Sequence, residues 1–95
     1  SYWQELLKDA STSRVAVTTF PNPFREGISF QFSASIDSTV LVTIFDSYGR
    51  SVFEKTSTVI DNLIQLVDLP PLPNAQYLVR LSGKNLNYFT KIIKI

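Results

Sequence analysis

The chain has 95 residues, 44% of them hydrophobic, which is enough for one globular domain with a small core. It contains no cysteine and no histidine, which excludes disulfides, thiol catalysis, and the commonest general base and metal ligand. A net charge of +1 does not indicate nucleic acid as a partner. No run approaches the ~20 apolar residues of a transmembrane helix, and no secretion signal opens the sequence. The absence of methionine leads us to expect a fragment or processed product of a longer protein.

The first residues, 1–14, are predicted to be a tail or linker from a preceding domain. Residues 10–14 are small and polar, which is typical of a linker, so we place the folded domain at 15–95. The nine residues before that linker would form only a marginal helix. Its apolar face would consist of three residues at helical spacing, Trp3, Leu6 and Leu7.

A proline-rich bend, Pro21-Asn22-Pro23-Phe24, separates the first two predicted strands. Each proline fixes its own φ and lacks a backbone donor, and each pushes the preceding residue towards extended geometry. The bend therefore cannot be helical, and it is a poor candidate for a central strand. We expect a rigid corner that determines where the second strand begins.

Short strands separated by turns account for the rest of the chain. Residues 28–32 alternate between apolar and polar, which is typical of a half-buried strand, and the run 39–46, apolar on both faces, is predicted to be central in its sheet. No two strands are joined by a segment of helix length, so the sheets should be antiparallel. We predict an all-β fold, an antiparallel β-sandwich of about seven strands. The predicted strands are 15–17, 28–32, 39–46, 51–55, 63–67, 76–82 and 88–95.

Three connections carry turn signals. Gly49, in the turn 46–50, is free to adopt a positive φ. Asp61 and Asn62 predict another turn. The proline-rich segment 69–74 is predicted to cross one end of the sandwich.

The chain offers little material for catalysis or ligand binding. Its eight acidic residues are spread singly, so neither a carboxylate pair nor a calcium site is indicated, and three glycines do not make a phosphate loop. Tyr48 and Tyr88 could stack on a sugar, but the single tryptophan, Trp3, lies in the tail, which favours packing roles for both tyrosines. We predict no enzyme activity, no cofactor and no metal site.

The last predicted strand is cationic. No acidic residue follows Asp68, whereas Arg80, Lys84, Lys91 and Lys94 do. Lysines on an edge strand protect it from aggregation, and the same lysines could serve as a handle for a partner. The residues alone leave both interpretations open.

Seven short motifs follow one another along the chain. They are PNPF at 21–24, ISF at 28–30, VTIFD at 42–46, YGR at 48–50, LP at 72–73, QYLVRL at 76–81 and TKIIK at 90–94. In this order and at these spacings they resemble the C-terminal sorting domain, type A, of proteins exported by the type IX secretion system (Por secretion system) of Bacteroidetes. The similarity covers about residues 18–95 and rests on the ordered set of motifs, since no single one is specific.

The resemblance implies a role in transport. Domains of this family are immunoglobulin-like sandwiches at the end of varied cargo proteins. The type IX translocon of the outer membrane recognises them, and a sortase commonly removes them while the cargo is released or attached at the cell surface. We therefore expect a cargo domain N-terminal to this one, a secreted or cell-surface location, and any cleavage within 10–14. The family's signal elements map onto Pro21, Asn22, Pro23, Phe24, Gly49, Tyr77, Lys91, Ile92, Ile93, Lys94 and Ile95.

The chain departs from the family pattern at Ala75, where the family usually has glycine before the Tyr77 strand. Alanine resists a positive φ, so either Asn74 takes the left-handed conformation or this corner uses a different turn. The departure concerns the local geometry and not the family.

Other functions also fit the residues. An immunoglobulin- or fibronectin-like accessory module could bind carbohydrate, and a rigid spacer could separate domains of a longer chain. A homodimer through open sheet edges is compatible with the predicted sandwich. For the sorting domain itself, we expect a partner to read the strand edge and the positive charge of residues 91–95 together, by β-augmentation.

Overall fold

The computed structural model of the chain describes residues 15–36, 38–84 and 86–95. The predicted apolar face of Trp3, Leu6 and Leu7 lies outside the described residues. The same is true of the predicted linker at 10–14, so both the domain boundary and the cleavage region stay predictions.

Seven strands make up the described chain, and the all-β prediction is confirmed. They are β1 (Val17–Phe20), β2 (Ile28–Phe32), β3 (Thr39–Phe45), β4 (Ser51–Thr58), β5 (Leu63–Leu66), β6 (Gln76–Gly83) and β7 (Leu86–Ile93).

Several strand boundaries differ from the prediction, most clearly in β1, β4 and β7. β1 begins at Val17 and not at residue 15. β4 continues to Thr58 although its second half is polar, because residues 53–58 pair one by one with β3. β7 begins two residues earlier than predicted, at Leu86, where it faces Gly83 of β6. These strand ends are determined by pairing with a neighbouring strand. The periodicity of a single strand contains no information about that pairing.

The strands form two antiparallel sheets, one ordered β1-β2-β5 and the other β4-β3-β6-β7. β3 is paired on both sides, so its predicted central position is confirmed. In a constant-type immunoglobulin domain the fourth strand joins the sheet of the first, second and fifth, whereas here β4 pairs with β3. The other six strands have the constant-type order, β1-β2-β5 in one sheet and β3-β6-β7 in the other, so the predicted immunoglobulin-like sandwich is confirmed with its fourth strand on the opposite sheet.

The core lies between the inner faces of the two sheets. Val40, Val42 and Ile44 of β3 are at most 1% exposed, as their alternation predicts. The largest side chains of the opposite layer and of the bend fill the remaining space. These are Phe24, Ile28, Phe30 and Ile64.

Backbone geometry at the turns explains why glycine, aspartate and asparagine occupy particular positions. Gly49 has φ 82°, which confirms the predicted positive φ. Asp61 and Asn62 have φ 54° and 60°, the pattern of a two-residue hairpin turn. Neither Asn74 nor Ala75 has a positive φ, so the corner before β6 uses a different turn.

Candidate functional site

The predicted bend lies against the end of β7. Phe24 and Lys94 form a parallel bridge. The Phe24 amide donates to the Ile93 carbonyl at 2.8 Å, and the Ile95 amide donates to the Phe24 carbonyl at 2.9 Å. Residues 21–24 and 91–95, far apart in the sequence, therefore form one structure, which we call the terminal-edge site.

The side chain of Asn22 extends this pairing. Its Oδ1 accepts a hydrogen bond from the Ile93 amide at 3.0 Å, and its Nδ2 donates to the Lys91 carbonyl at 3.2 Å. The side-chain amide thus acts as a peptide group would in a neighbouring strand. Since Pro21 and Pro23 have no N–H, this side chain supplies a donor where the bend has lost two.

The edge of β7 is consequently divided into two parts. Ile93 directs both its amide and its carbonyl towards the bend, and alternate residues of a strand direct their backbone to the same side. The backbone of Asn87 and Phe89 therefore faces away from β6, and within the described chain it has no strand beside it. A partner strand could add at 87–89, but at 91–95 it would first have to displace the bend.

Burial separates the predicted site residues into two groups. Phe24, Tyr77 and Ile92 are 1%, 3% and 0% exposed, so their side chains are not available at the surface. The second group has side chains that are available at the surface. Lys94, which is half-buried, lies between the two groups. The exposed members are Pro21, Asn22, Pro23, Lys91, Ile93 and Ile95.

A groove lies beside the exposed part of the terminal-edge site. It has a volume of about 400 Å³ and combines apolar walls with one pair of opposite charges. A second cavity of about 460 Å³ shares Arg25 and Glu26 with it and continues to Lys94 and the predicted proline-rich crossing. The groove is lined by Pro21, Pro23, Arg25, Glu26, Gly27 and Ile95.

Tyr77 holds the crossing against β6. Its Oη donates a hydrogen bond of 2.6 Å to the Pro73 carbonyl, four residues upstream. A tyrosine at the start of the sixth strand that bonds the backbone just before it is the tyrosine corner of immunoglobulin-like sandwiches. Burial raises the pKa of the Tyr77 hydroxyl, and the negative charge of Asp46 raises it further.

We expect Tyr77→Phe to lower the free energy of unfolding by about 1 kcal/mol, because the Pro73 carbonyl loses its donor. For a domain of this size that corresponds to a melting temperature lower by about 4–8 °C. The wild-type hydroxyl has a folded pKa above its ordinary value of 10.0, so its contribution is complete below pH 10 and is lost as the pH rises through the folded pKa. Thermal unfolding followed by circular dichroism between pH 7 and 11 measures both effects.

The control for this experiment is Tyr48→Phe, since Tyr48 is 83% exposed. It should leave both the melting temperature and its alkaline decline unchanged. Equal effects of the two substitutions would contradict the role of the Tyr77 hydroxyl.

The Gly49 turn is organised by Asp46. One carboxylate oxygen accepts hydrogen bonds from the amides of Tyr48 and Arg50, and the other accepts from the Arg50 side chain at 2.8 Å. Partial desolvation raises the pKa of Asp46, but these hydrogen bonds outweigh it and lower the pKa below its ordinary value. The Arg50 guanidinium also lies 5.3 Å from the centre of the Tyr48 ring.

The Gly49 turn and the terminal-edge site lie at the same end of the four-stranded sheet. Phe45, which precedes the turn, pairs with Leu78 of β6, and Leu78 pairs with Lys91 of β7. The turn follows β3 and the bend borders β7, so β6 with Tyr77 lies between them. The structure thus brings the bend and residues 91–95 into contact and leaves Gly49 apart from them.

The two tyrosines considered for sugar stacking do not form a common surface. Tyr48 is exposed on the Gly49 turn, whereas the Tyr88 hydroxyl points to the Val17 carbonyl at 3.4 Å, between the sheets. Among the described residues there is no group of acidic side chains that could hold a metal ion. The described part of the chain also contains no helix long and apolar enough to cross a membrane.

We expect Asn22→Ala to remove the protection of one backbone amide. The Ile93 N–H then loses its acceptor, so its hydrogen exchange should be faster by about tenfold or more, equivalent to about 1.4 kcal/mol. The Ile95 N–H, bonded to Phe24, should be affected less. Hydrogen exchange of the Ile93 amide, measured by NMR, tests this prediction. The matched control is Asn87→Ala, since Asn87 is an exposed asparagine on β7, the strand that contains Ile93, and this substitution should leave the exchange of the Ile93 amide unchanged.

Sequence reasoning identified the bend and the last strand but not the contact between them. It also missed the pairing role of the Asn22 side-chain amide, and it did not predict that Arg25 and Glu26 line both the groove and the second cavity. One signal was present, because an asparagine between two prolines supplies a donor to a bend that has lost two.

Comparison with known families gives a match over most of the described chain. A family model described as a secretion system C-terminal sorting domain matches residues 18–95, which is most of the chain and includes all of β2 to β7. No curated protein matches the chain.

Proposed function

Because the chain belongs to the family of type IX secretion system C-terminal sorting domains, we propose that the outer-membrane translocon recognises it at the terminal-edge site. Membership makes the domain a sorting signal for type IX export. A signal of this kind implies a cargo N-terminal to it and delivery of that cargo to the cell surface or the medium. The family is one of sorting signals and not of catalysts.

The observation that carries the proposal is the pairing of residues 21–24 with 91–95. The first and last motifs of the chain are joined by backbone bonds through Phe24 and side-chain bonds through Asn22. A receptor that binds the terminal-edge site therefore contacts both motifs at once. It can do so only when the domain is folded. Recognition of the folded state would prevent export of chains whose sandwich has not closed.

The proposed contact surface consists of the exposed members of the site. Ile93 and Ile95 are 39% and 47% exposed, and they supply apolar surface beside the prolines of the bend. Lys91, exposed on the same strand, supplies positive charge. An acidic and partly apolar receptor surface would complement this combination.

The buried members have a positioning role in this proposal. Phe24 and Ile92 anchor the bend and β7 in the core, and Tyr77 fixes the start of β6 beside them. They determine where the exposed residues lie and do not themselves touch the receptor. The Gly49 turn, at the same end of the sheet, is a second and separate contact.

Removal of the domain after export is the second part of the proposal. Residues 10–14 are small and polar, as a protease-accessible linker requires, and they precede β1. A surface sortase would cut there and leave the cargo attached to the cell surface or free.

The test is a transplant of the 95-residue chain to the C-terminus of a fluorescent protein that carries a periplasmic signal. In a bacterium with a working type IX system, fluorescence should reach the surface or the medium, and in an isogenic translocon mutant it should stay in the periplasm. A smaller product on a gel from the working strain would support removal of the domain. Retention in the periplasm of both strains, with the domain folded, would contradict the proposal.

A further inference from the structure

The outer face of the four-stranded sheet carries apolar residues that the core between the sheets does not use. Strand register places Phe45 opposite Leu78, and Arg80 opposite Phe89, on the face that points away from the other sheet. Leu41 lies on the same face of β3. We call Leu41, Phe45, Leu78 and Phe89 the outer-face patch.

Part of this patch is buried. Leu78 is 0% exposed and Phe89 is 8% exposed, yet neither belongs to the core cluster between the sheets. Thr43, between them on β3, is 5% exposed. A two-layer sandwich leaves its outer faces to solvent, so burial at the centre of an outer face requires a cover.

The described loops do not provide that cover. Their partly buried apolar residues, Ile36, Val59, Leu69 and Leu72, pack against the inner core. Tyr48 and Val67 are 83% and 71% exposed, so they bury little. The Arg80 guanidinium, 5.8 Å from the centre of the Phe89 ring, covers only one member of the patch.

The sequence contains one segment with matching chemistry. Trp3, Leu6 and Leu7 present one apolar face at helical spacing, and no other part of the chain contains an amphipathic helical pattern. The same N-terminal part of the sequence contains the acidic residues Glu5 and Asp9, whereas Arg80 and Lys91 are the basic side chains on the outer face of β6 and β7.

The chain is long enough for this segment to reach the patch. β1 begins beneath β7, where the Tyr88 hydroxyl contacts the Val17 carbonyl. Residues 8–14 span about 25 Å when extended. The path from the inner layer past β7 to the outer face has two parts. The two sheets are about 10 Å apart, and an element resting on the outer face lies about 10 Å from the sheet, so the path requires about 20 Å.

We propose that residues 2–7 dock on the outer-face patch, with Trp3 as the main anchor. In this arrangement residues 8–14 pass across the edge of β7 at 87–89, which is the part of that edge not occupied by the bend. The docked segment covers an apolar face and the linker shields an open edge, two features that otherwise promote association. The proposal does not depend on the secretion function.

The single tryptophan makes the docking measurable in the 95-residue chain. We expect blue-shifted Trp3 emission and a low acrylamide quenching constant. Leu41→Lys places a charge in the patch at a half-buried position, so it should shift the emission to the red and raise the quenching constant severalfold, while far-UV circular dichroism shows the sandwich intact. The matched control is Ile60→Lys, at a residue that is 67% exposed in the β4–β5 turn, and it should change neither.

A cross-link provides a second test that does not depend on the stability of a charged variant. The chain has no cysteine, so the pair Leu6→Cys and Phe45→Cys gives two unique thiols. Oxidation should join them in the monomer, whereas Leu6→Cys with Ile60→Cys should not react. Emission equal to that of a free peptide of residues 1–9, or a cross-link equally fast in both pairs, would overturn the proposal.

Discussion

Replacing Phe24 by alanine should lower the free energy of unfolding by about 3–5 kcal/mol, a large part of the stability of a small domain. Phe24 is 1% exposed and is among the largest fully buried side chains. Its backbone also closes the edge of β7 through Ile93 and Ile95. The substitution therefore leaves a cavity beneath the bend and loosens the last strand at the same time. Denaturant unfolding followed by circular dichroism measures the loss.

The matched control lies at the other end of the same bend. Phe20 is 41% exposed, so Phe20→Ala should cost only about 1 kcal/mol. Both variants remove the same atoms from an aromatic residue that flanks Pro21 to Pro23. Similar losses for the two would show that Phe24 does not anchor the bend in the core.

Charge reversal at Lys91 and Lys94 should reduce export of a fluorescent cargo by about tenfold or more, equivalent to about 1.4 kcal/mol of lost recognition, without unfolding the domain. Lys91 is exposed and Lys94 is half-buried, and neither side chain belongs to the core. The double variant Lys91→Glu with Lys94→Glu replaces attraction to an acidic receptor surface by repulsion. Surface and medium fluorescence measure the export, and thermal unfolding of the purified domain verifies the fold.

The control keeps the net charge equal and moves the change elsewhere. Lys55 lies on β4, at the opposite edge of the sheet, and Lys84 lies in the turn before β7. Lys55→Glu with Lys84→Glu should therefore be exported normally. An equal loss in both double variants would mean that net charge alone decides export, and normal export of the Lys91 and Lys94 variant would remove these charges from the recognition surface.

A deletion of residues 91–95 is a less informative experiment. It removes Ile92, which is 0% exposed, and it leaves the backbone of Phe24 without its partners. Lost export would then have two explanations, a missing signal and a damaged fold. Substitutions confined to exposed side chains separate these explanations, because the core and the pairing of the bend with β7 stay in place.

The periodicity of apolar residues determines much of this fold. Alternation at 28–32 and the doubly apolar run at 39–46 predict which strands are half-buried and which is central, since side chains of a strand alternate between its two faces. Gly49 predicts a positive φ because only glycine adopts it without cost. Such properties depend on a few neighbouring residues, so the sequence by itself contains them, and the ordered motifs likewise identify the family.

Only the tertiary structure decides which strands are neighbours and which motifs meet. Nothing local in β4 places it beside β3 and not beside β5, and nothing local in Asn22 selects the backbone of Lys91 and Ile93 as its partners. Both depend on contacts between residues distant in sequence, which form when the two sheets close around a common core. For the same reason, sequence reasoning identified the two parts of the terminal-edge site separately, and closure of the sandwich made them one surface.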